Sequence, residues 1–159
     1  MKKPYGPYDY SGLISCYLNQ SLPSGSTAGN RLSFSKDRLY SYDSLLAKLD
    51  THLYIDKEIS KYSQTTSKQV RILESAGRYR NLEIFFTDLL FSLEVNLEDY
   101  WEEAQEYIDR YIKARSRKPI IAEELRRHIQ HTIQFAELHN LSTTIPDDVM
   151  KQMFVYKLL

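Results

Sequence analysis

The stretch "RLSFSKDRLYSYDSLLAKLDTHLYIDKEI", residues 31–59, decides the fold class because its apolar residues recur with a period of two. Leu32 and Phe34 fall on one face of an extended chain, "SKD" at 35–37 supplies a turn, and Tyr40 and Tyr42 resume the alternation. Further alternating runs lie at 45–49 and 53–59. The pattern predicts an antiparallel meander of three or four strands, with both tyrosines on the core face of the hairpin.

After residue 62 the apolar residues follow a helical period. Thr66 with Gln69 three positions later has capping-box spacing, so we expect a helix that starts there and ends at Gly77. Apolar stripes predict further helices at 82–93, from Asn96 onward, at 120–138 and after Pro146. The predicted fold class is α+β, a short antiparallel β-meander followed by a helical C-terminal half of about four helices.

Residues 1–30 hold most of the glycine and proline of the chain, which favours an N-terminal arm and loop. Only a short piece around 13–18 is apolar enough to pack regularly. We therefore expect a single α+β domain over 31–159, with the sheet at 31–62 and the helices at 66–159.

The composition limits the classes of function. The chain has 159 residues, and its 21 Lys and Arg balance its 21 Asp and Glu, so it lacks the strong positive charge of a dedicated nucleic-acid binder. Its single cysteine, Cys16, forms no intramolecular disulfide, and no apolar run is long enough to cross a membrane. These features predict a cytoplasmic protein with no membrane association. Thirteen tyrosines suit a half-buried sheet face or a contact surface.

Residues that could carry catalysis are sparse. Glu124, His128 and His131 lie at i, i+4 and i+7, so a helix would place them on one face, where they could approach a metal ion. No fourth ligand is placed nearby, and no nucleophile stands beside a base in a recognisable motif. We predict no enzyme activity, no metal and no cofactor; a metal-dependent hydrolase is the weakest alternative.

Two groups of basic residues are the clearest candidates for contact with a partner. The first comprises Arg71, Arg78 and Arg80, and the second comprises Arg110, Lys113, Arg115, Arg117 and Lys118. Stabilisation of helix carboxyl ends by cations is a structural explanation for both groups. A separate aromatic stripe with Trp101 and Tyr107 indicates either burial in the core or a homodimer.

The residues "GN" at 29–30, "LYSY" at 39–42 and "YSQTTSK" at 62–68 together resemble a domain found in uncharacterised phage and plasmid proteins. The resemblance covers about 29–69 and implies a small sheet leading into a helix in a protein of a mobile genetic element. Where that family often carries a histidine after the "TTSK" element, Gln69 stands here. Small proteins of such elements are commonly inhibitors of host defence, anti-CRISPR proteins among them, or regulators of their own genes.

Two functions follow as hypotheses. The first is a stoichiometric binder that inhibits or modulates a host defence protein or nucleoprotein complex. The second is a regulator that binds DNA or RNA directly. The predicted partner-binding residues are Tyr40, Tyr42, Lys68, Arg78, Arg80, Arg110, Lys113, Arg115, Arg117 and Lys118.

Overall fold

The structure, a computed structural model, describes residues 8–61 and 63–158. The chain divides into two compact units, residues 1–90 (unit 1) and residues 91–159 (unit 2). The single domain over 31–159 stays a prediction. The fold class is α+β, as predicted, because unit 1 holds a sheet with helices and unit 2 is helical.

Unit 1 is built on a six-stranded sheet whose strands follow one another in chain order. The five strands β1 to β5 pair antiparallel, and β6 pairs parallel to β5. Their bounds are Ser24–Ser26, Leu32–Ser35, Arg38–Ser41, Ser44–Leu49, Leu53–Asp56 and Ile84–Thr87. The predicted meander is therefore confirmed as β2 to β5, and one further strand extends it on each side.

Two helices accompany this sheet, α1 at Tyr10–Asn19 and α2 at Gln64–Tyr79. The piece around 13–18 that was expected to pack regularly lies in α1, which is longer than expected and buries Leu13, Ile14 and Tyr17 completely. Asp9 caps this helix by accepting a hydrogen bond from the backbone N–H of Gly12 at 2.7 Å. The predicted arm at residues 1–7 lies outside the described residues.

The prediction of a helix at 82–93 was wrong. Residues 84–87 form β6, in which Phe85 and Thr87 are buried and alternate with half-buried neighbours. A short apolar run fits the period of a helix as well as that of a strand. Here Ile84–Thr87 form a strand because they pair with the backbone edge of β5 along its whole length. Helix α2 is then the crossover that joins two parallel strands.

Helix α2 starts and ends differently from the prediction. Ser63 is its cap, accepting from the N–H of Thr66 at 3.1 Å, so Thr66 is the third residue of the helix and not its cap. Gly77 does not end the helix. A Cβ atom at Gly77 would lie 3.1 Å from side-chain atoms of Leu53 and Ile84, so glycine there allows α2 to approach the sheet closely.

Unit 2 contains three helices, α3 at Leu93–Lys113, α4 at Lys118–Leu138 and α5 at Asp147–Val155. Ser92 caps α3, which begins at Leu93, three residues before the predicted start at Asn96. The rings of Tyr100 and Phe135 meet edge to face at 5.1 Å and join α3 to α4. Pro146 precedes α5 as predicted, and Asp147 and Asp148 stand in its first turn, where carboxylates complement the helix dipole.

Candidate functional site

The second basic group forms one surface, which we call the basic corner: Arg110, Lys113, Arg115, Arg117 and Lys118. It covers the carboxyl end of α3, the connection 114–117 and the first residue of α4. Ala114 ends α3, and the short connection turns the chain directly into α4. Nine consecutive residues, 110–118, thus carry five cations and no carboxylate.

Two of these cations are held by neighbouring side chains. The Arg110 guanidinium lies 5.2 Å from the centre of the Tyr107 ring and 3.6 Å from the Glu124 carboxylate. The Lys118 ammonium lies 4.9 Å from the centre of the Tyr111 ring. The two ring contacts are cation–π contacts, which restrict the long basic side chains. The charge of Arg110 is also partly compensated by Glu124.

The other three cations of the corner, Lys113, Arg115 and Arg117, are exposed. None of them makes an ion pair with a residue in the part of the chain that the structure describes. Three uncompensated positive charges close together raise the local potential and attract anions.

Helix dipoles explain only part of the corner. Arg110 and Lys113 stand in the last turn of α3, where cations are stabilised. Arg117 and Lys118 stand instead at the amino end of α4, where the dipole is positive and disfavours cations. Arg117 also adopts a left-handed backbone conformation, with φ of 64°. The fold therefore does not require basic residues at these two positions.

The charge of the surrounding chain makes the corner a local feature. Residues 81–109 contain no lysine or arginine, and nine carboxylates: Glu83, Asp88, Glu94, Glu98, Asp99, Glu102, Glu103, Glu106 and Asp109. The sign of the charge changes at Arg110. An anionic partner at the corner would consequently be repelled from the rest of α3, which limits the contact to a few charged groups.

The first basic group is split by the structure. Arg78 pairs with Glu74 one turn earlier in α2. Arg80 is partly buried and donates to Ser15 Oγ at 3.1 Å and to Asn19 Oδ1 at 2.9 Å, so it fastens the end of α2 to α1. Lys68 is exposed on α2. These residues are in unit 1, whereas the basic corner is in unit 2.

The two tyrosines of the hairpin are not core residues, contrary to the prediction. The buried face of β3 carries Leu39 and Ser41, and because successive side chains of a strand point to opposite faces, Tyr40 lies half-buried on the other face. Tyr42 lies in the turn between β3 and β4, with φ of 55° and 49% of its surface exposed. Tyr42 is therefore available for contact.

The residues of the resemblance at 29–69 meet in a buried hydrogen-bond network. Ser41 Oγ donates to Gln69 Oε1 at 2.6 Å and lies 3.1 Å from Thr66 Oγ1. Gln69 Nε2 in turn donates to the Arg31 carbonyl at 3.1 Å, and Ser63 Oγ donates to Thr66 Oγ1 at 3.1 Å. The network joins the start of α2 to the end of β3, so these motif residues have a structural role.

The predicted histidine group does not assemble into a metal site. His128 Nε2 lies 2.7 Å from the Tyr100 carbonyl, and Glu124 faces Arg110. Within residues 8–61 and 63–158, no three His, Cys, Asp or Glu side chains are grouped closely enough to hold a metal ion.

The aromatic stripe of α3 is mostly core. Trp101 is 8% exposed, and the half-buried Tyr107 ring lies 5.3 Å from the His128 ring. Sequence reasoning missed Tyr107 and Tyr111 as parts of the basic corner. Tyr107 stands three residues before Arg110, and side chains three apart are neighbours on a helix, so the sequence contained a signal for that contact. It contained no such signal for Tyr111, whose contact with Lys118 joins two different helices.

No protein-family model matches the sequence, and no curated protein or solved structure matches it significantly. Among the described helices, none combines the length and the apolar character needed to cross a membrane.

Proposed function

We propose that this protein is a stoichiometric binder, without enzyme activity, that inhibits or modulates a host complex handling nucleic acid. In this proposal the protein acts in the bacterial cytoplasm, and its target is a defence complex such as a CRISPR effector, as the resemblance at 29–69 suggests. The basic corner contacts the phosphate groups of nucleic acid held in that complex, and other surfaces contact its protein.

The observation that carries the proposal is the set of uncompensated cations at the corner. Lys113, Arg115 and Arg117 have no counter-ion among the described residues, and Arg117 occupies a position where neither the dipole nor the backbone favours arginine. Residues that a fold does not require are the ones whose identity is best explained by a ligand. Exposed lysine and arginine side chains are the usual ligands of phosphate.

The small size of the corner favours a complex over free nucleic acid. Five cations, of which one already faces Glu124, provide roughly three to five phosphate contacts. The acidic side chains of α3 oppose extension of the contact along this helix. So few contacts give weak binding to free nucleic acid, and a protein surface in the partner must supply the remaining affinity.

A regulator that binds DNA or RNA directly is the second candidate, and the cation–π pairs favour it. Tyr107 and Tyr111 hold the charged ends of Arg110 and Lys118 near one surface, which suits a chain of phosphates. Such a regulator would bind purified nucleic acid without any protein partner.

An affinity pull-down from bacterial lysate, with and without nuclease, distinguishes the two candidates. Recovery of a nucleic-acid-handling complex that survives nuclease and moderate salt supports the binder. Recovery of bulk nucleic acid that nuclease abolishes supports the regulator. Failure to recover either contradicts both.

The corner itself is tested by replacing Lys113, Arg115 and Arg117 with glutamine. The matched control replaces Lys61, Arg127 and Lys151 with glutamine, which removes the same charge from exposed positions elsewhere. We expect the corner variant to lose recovery of the partner and the control to keep it. Equal losses of partner recovery in the corner variant and the control variant would show that recovery depends on net charge and not on the basic corner.

A further inference from the structure

A second surface with unused positive charge lies in unit 1, in an open groove of about 550 Å³ between α1 and α2. Its polar lining comprises the hydroxyls of Ser11 and Ser75 and the guanidinium groups of Arg71 and Arg80. Ile72, Ala76 and Tyr79 complete the lining. None of the lining residues carries a carboxylate.

Arg80 is fixed in this groove by neutral acceptors. Its Nε donates to Asn19 Oδ1 at 2.9 Å, and its two terminal nitrogens donate to Ser15 Oγ at 3.1 Å and the Ala76 carbonyl at 3.0 Å. A guanidinium has about five N–H donors, so roughly two remain after these three bonds. Because all three acceptors are uncharged, the positive charge of Arg80 is oriented but not neutralised.

Arg71 adds a second charge to the same groove. It is exposed and makes no ion pair or side-chain hydrogen bond with any residue that the structure describes. Lys68 precedes it by three residues and is also exposed, so the two are neighbours on the surface of α2. Glu74, the carboxylate nearest in sequence, is already paired with Arg78.

Tyr79 gives the groove an aromatic wall. Its side chain is 87% exposed, the highest value among the large hydrophobic residues of the described chain. It follows Arg71 and Ser75 at steps of four, so the three side chains form one row along α2. A ring that the core does not use, beside two cations, is suited to stack on a flat base while the cations bind phosphate.

We propose that this groove binds a nucleoside phosphate, with the phosphate at Arg71 and Arg80 and the base against Tyr79. The ligand is either a free nucleotide or a nucleotide within a single strand, since both present the same base and phosphate. The site is in unit 1, consists of residues other than those of the basic corner and does not depend on the function proposed above.

Calorimetric titration of the full-length protein with adenosine 5′-monophosphate, adenosine and inorganic phosphate tests the proposal. We expect the monophosphate to bind more tightly than either fragment, because only it uses both the cations and the ring. Titration with an oligoadenylate blocked at both ends distinguishes the sources. Tighter binding of the mononucleotide indicates a free nucleotide, and tighter binding of the oligomer indicates a nucleic-acid strand.

Variants connect the binding to the groove. Arg71→Ala removes an exposed, unpaired side chain, so the protein should remain folded, and we expect a loss of affinity of about tenfold. Tyr79→Ala should weaken binding of the monophosphate by about fivefold or more and leave the affinity for inorganic phosphate unchanged. Tyr79→Phe should restore monophosphate binding because it keeps the ring.

Arg78→Ala is the matched control. It removes the same charge one residue from Tyr79, but its guanidinium already pairs with Glu74 and does not line the groove. We expect no change in affinity. Equal losses in Arg71→Ala and Arg78→Ala, or no binding of mononucleotide or oligomer at millimolar concentration, would overturn the proposal.

Discussion

Replacement of Arg117 by glycine should make the protein more stable and its partner binding weaker. Arg117 precedes α4 with a φ of 64°, a conformation that L-residues adopt at a cost of about 1 kcal/mol or more and that glycine adopts freely. The substitution also removes a cation from the amino end of α4, which should raise the free energy of unfolding by about 0.3–1 kcal/mol. The greater freedom of glycine in the unfolded chain offsets about 0.5–1 kcal/mol of this gain.

The net expectation is a gain of about 1 kcal/mol in the free energy of unfolding, which raises the melting temperature by about 3 °C in a chain of this size. Thermal unfolding followed by circular dichroism measures it. Binding of a labelled single strand by the same variant, followed by fluorescence anisotropy at several salt concentrations, should be weaker. Loss of one phosphate contact reduces the slope of log affinity against log salt by roughly 0.7.

Two further variants make the result interpretable. Arg117→Asn removes the charge but keeps a residue that tolerates the left-handed region, so it should weaken binding with a smaller gain in stability. Asn140→Gly changes another left-handed position in unit 2, with φ of 55°, and should leave binding unchanged. If Arg117→Gly is stabilised but binds as the parent does, the corner is not a phosphate contact; if it is destabilised, the strain argument is wrong.

Three other predictions concern the described core. Ser41→Ala removes the donor to Gln69 Oε1 in the buried network, and we expect chemical denaturation to show a loss of about 1–3 kcal/mol in the free energy of unfolding. An unchanged denaturation midpoint would show that this hydrogen bond does not stabilise the fold. Asp56→Asn replaces a carboxylate that accepts from the N–H groups of Glu58, Ile59 and Leu89, so one donor would face another, and a loss of about 1–3 kcal/mol is expected in the same assay. Burial raises the pKa of Tyr17, and burial with nearby Asp50 raises the pKa of Tyr54 to about 12. Since both folded pKa values exceed the unfolded value of about 10, stability should be complete below pH 10 and fall as pH rises through 10 to 12. In Tyr17→Phe, denaturation at a series of pH values should show a smaller alkaline loss, together with a loss of about 1 kcal/mol at neutral pH from the missing bond to the Asp37 carbonyl.

The sequence predicted which basic residues cluster at the candidate site but not the contacts that each of them makes. The run of five cations at 110–118 is visible in the sequence, and so is its position before Pro119. The difference between Arg110, which faces Glu124, and Arg115, which faces no described carboxylate, depends on the packing of α4 against α3. Arg78 and Arg80 look alike in the sequence, yet one pairs within its own helix and the other joins two helices.

The sequence by itself determined the elements whose apolar period is unambiguous. The alternation at 32–35 specified strand β2, and the long stripes of α3 and α4 specified helices, because only those conformations gather the apolar residues of each pattern on one face. Tertiary structure decided the short segments. Residues 84–87 became a strand because β5 offered a free edge, and residues 10–19 became a core helix because Leu13, Ile14 and Tyr17 found an apolar surface at Leu32 and Phe34. A short segment gains too little from its own backbone to fix its conformation, so the partner it packs against makes the choice.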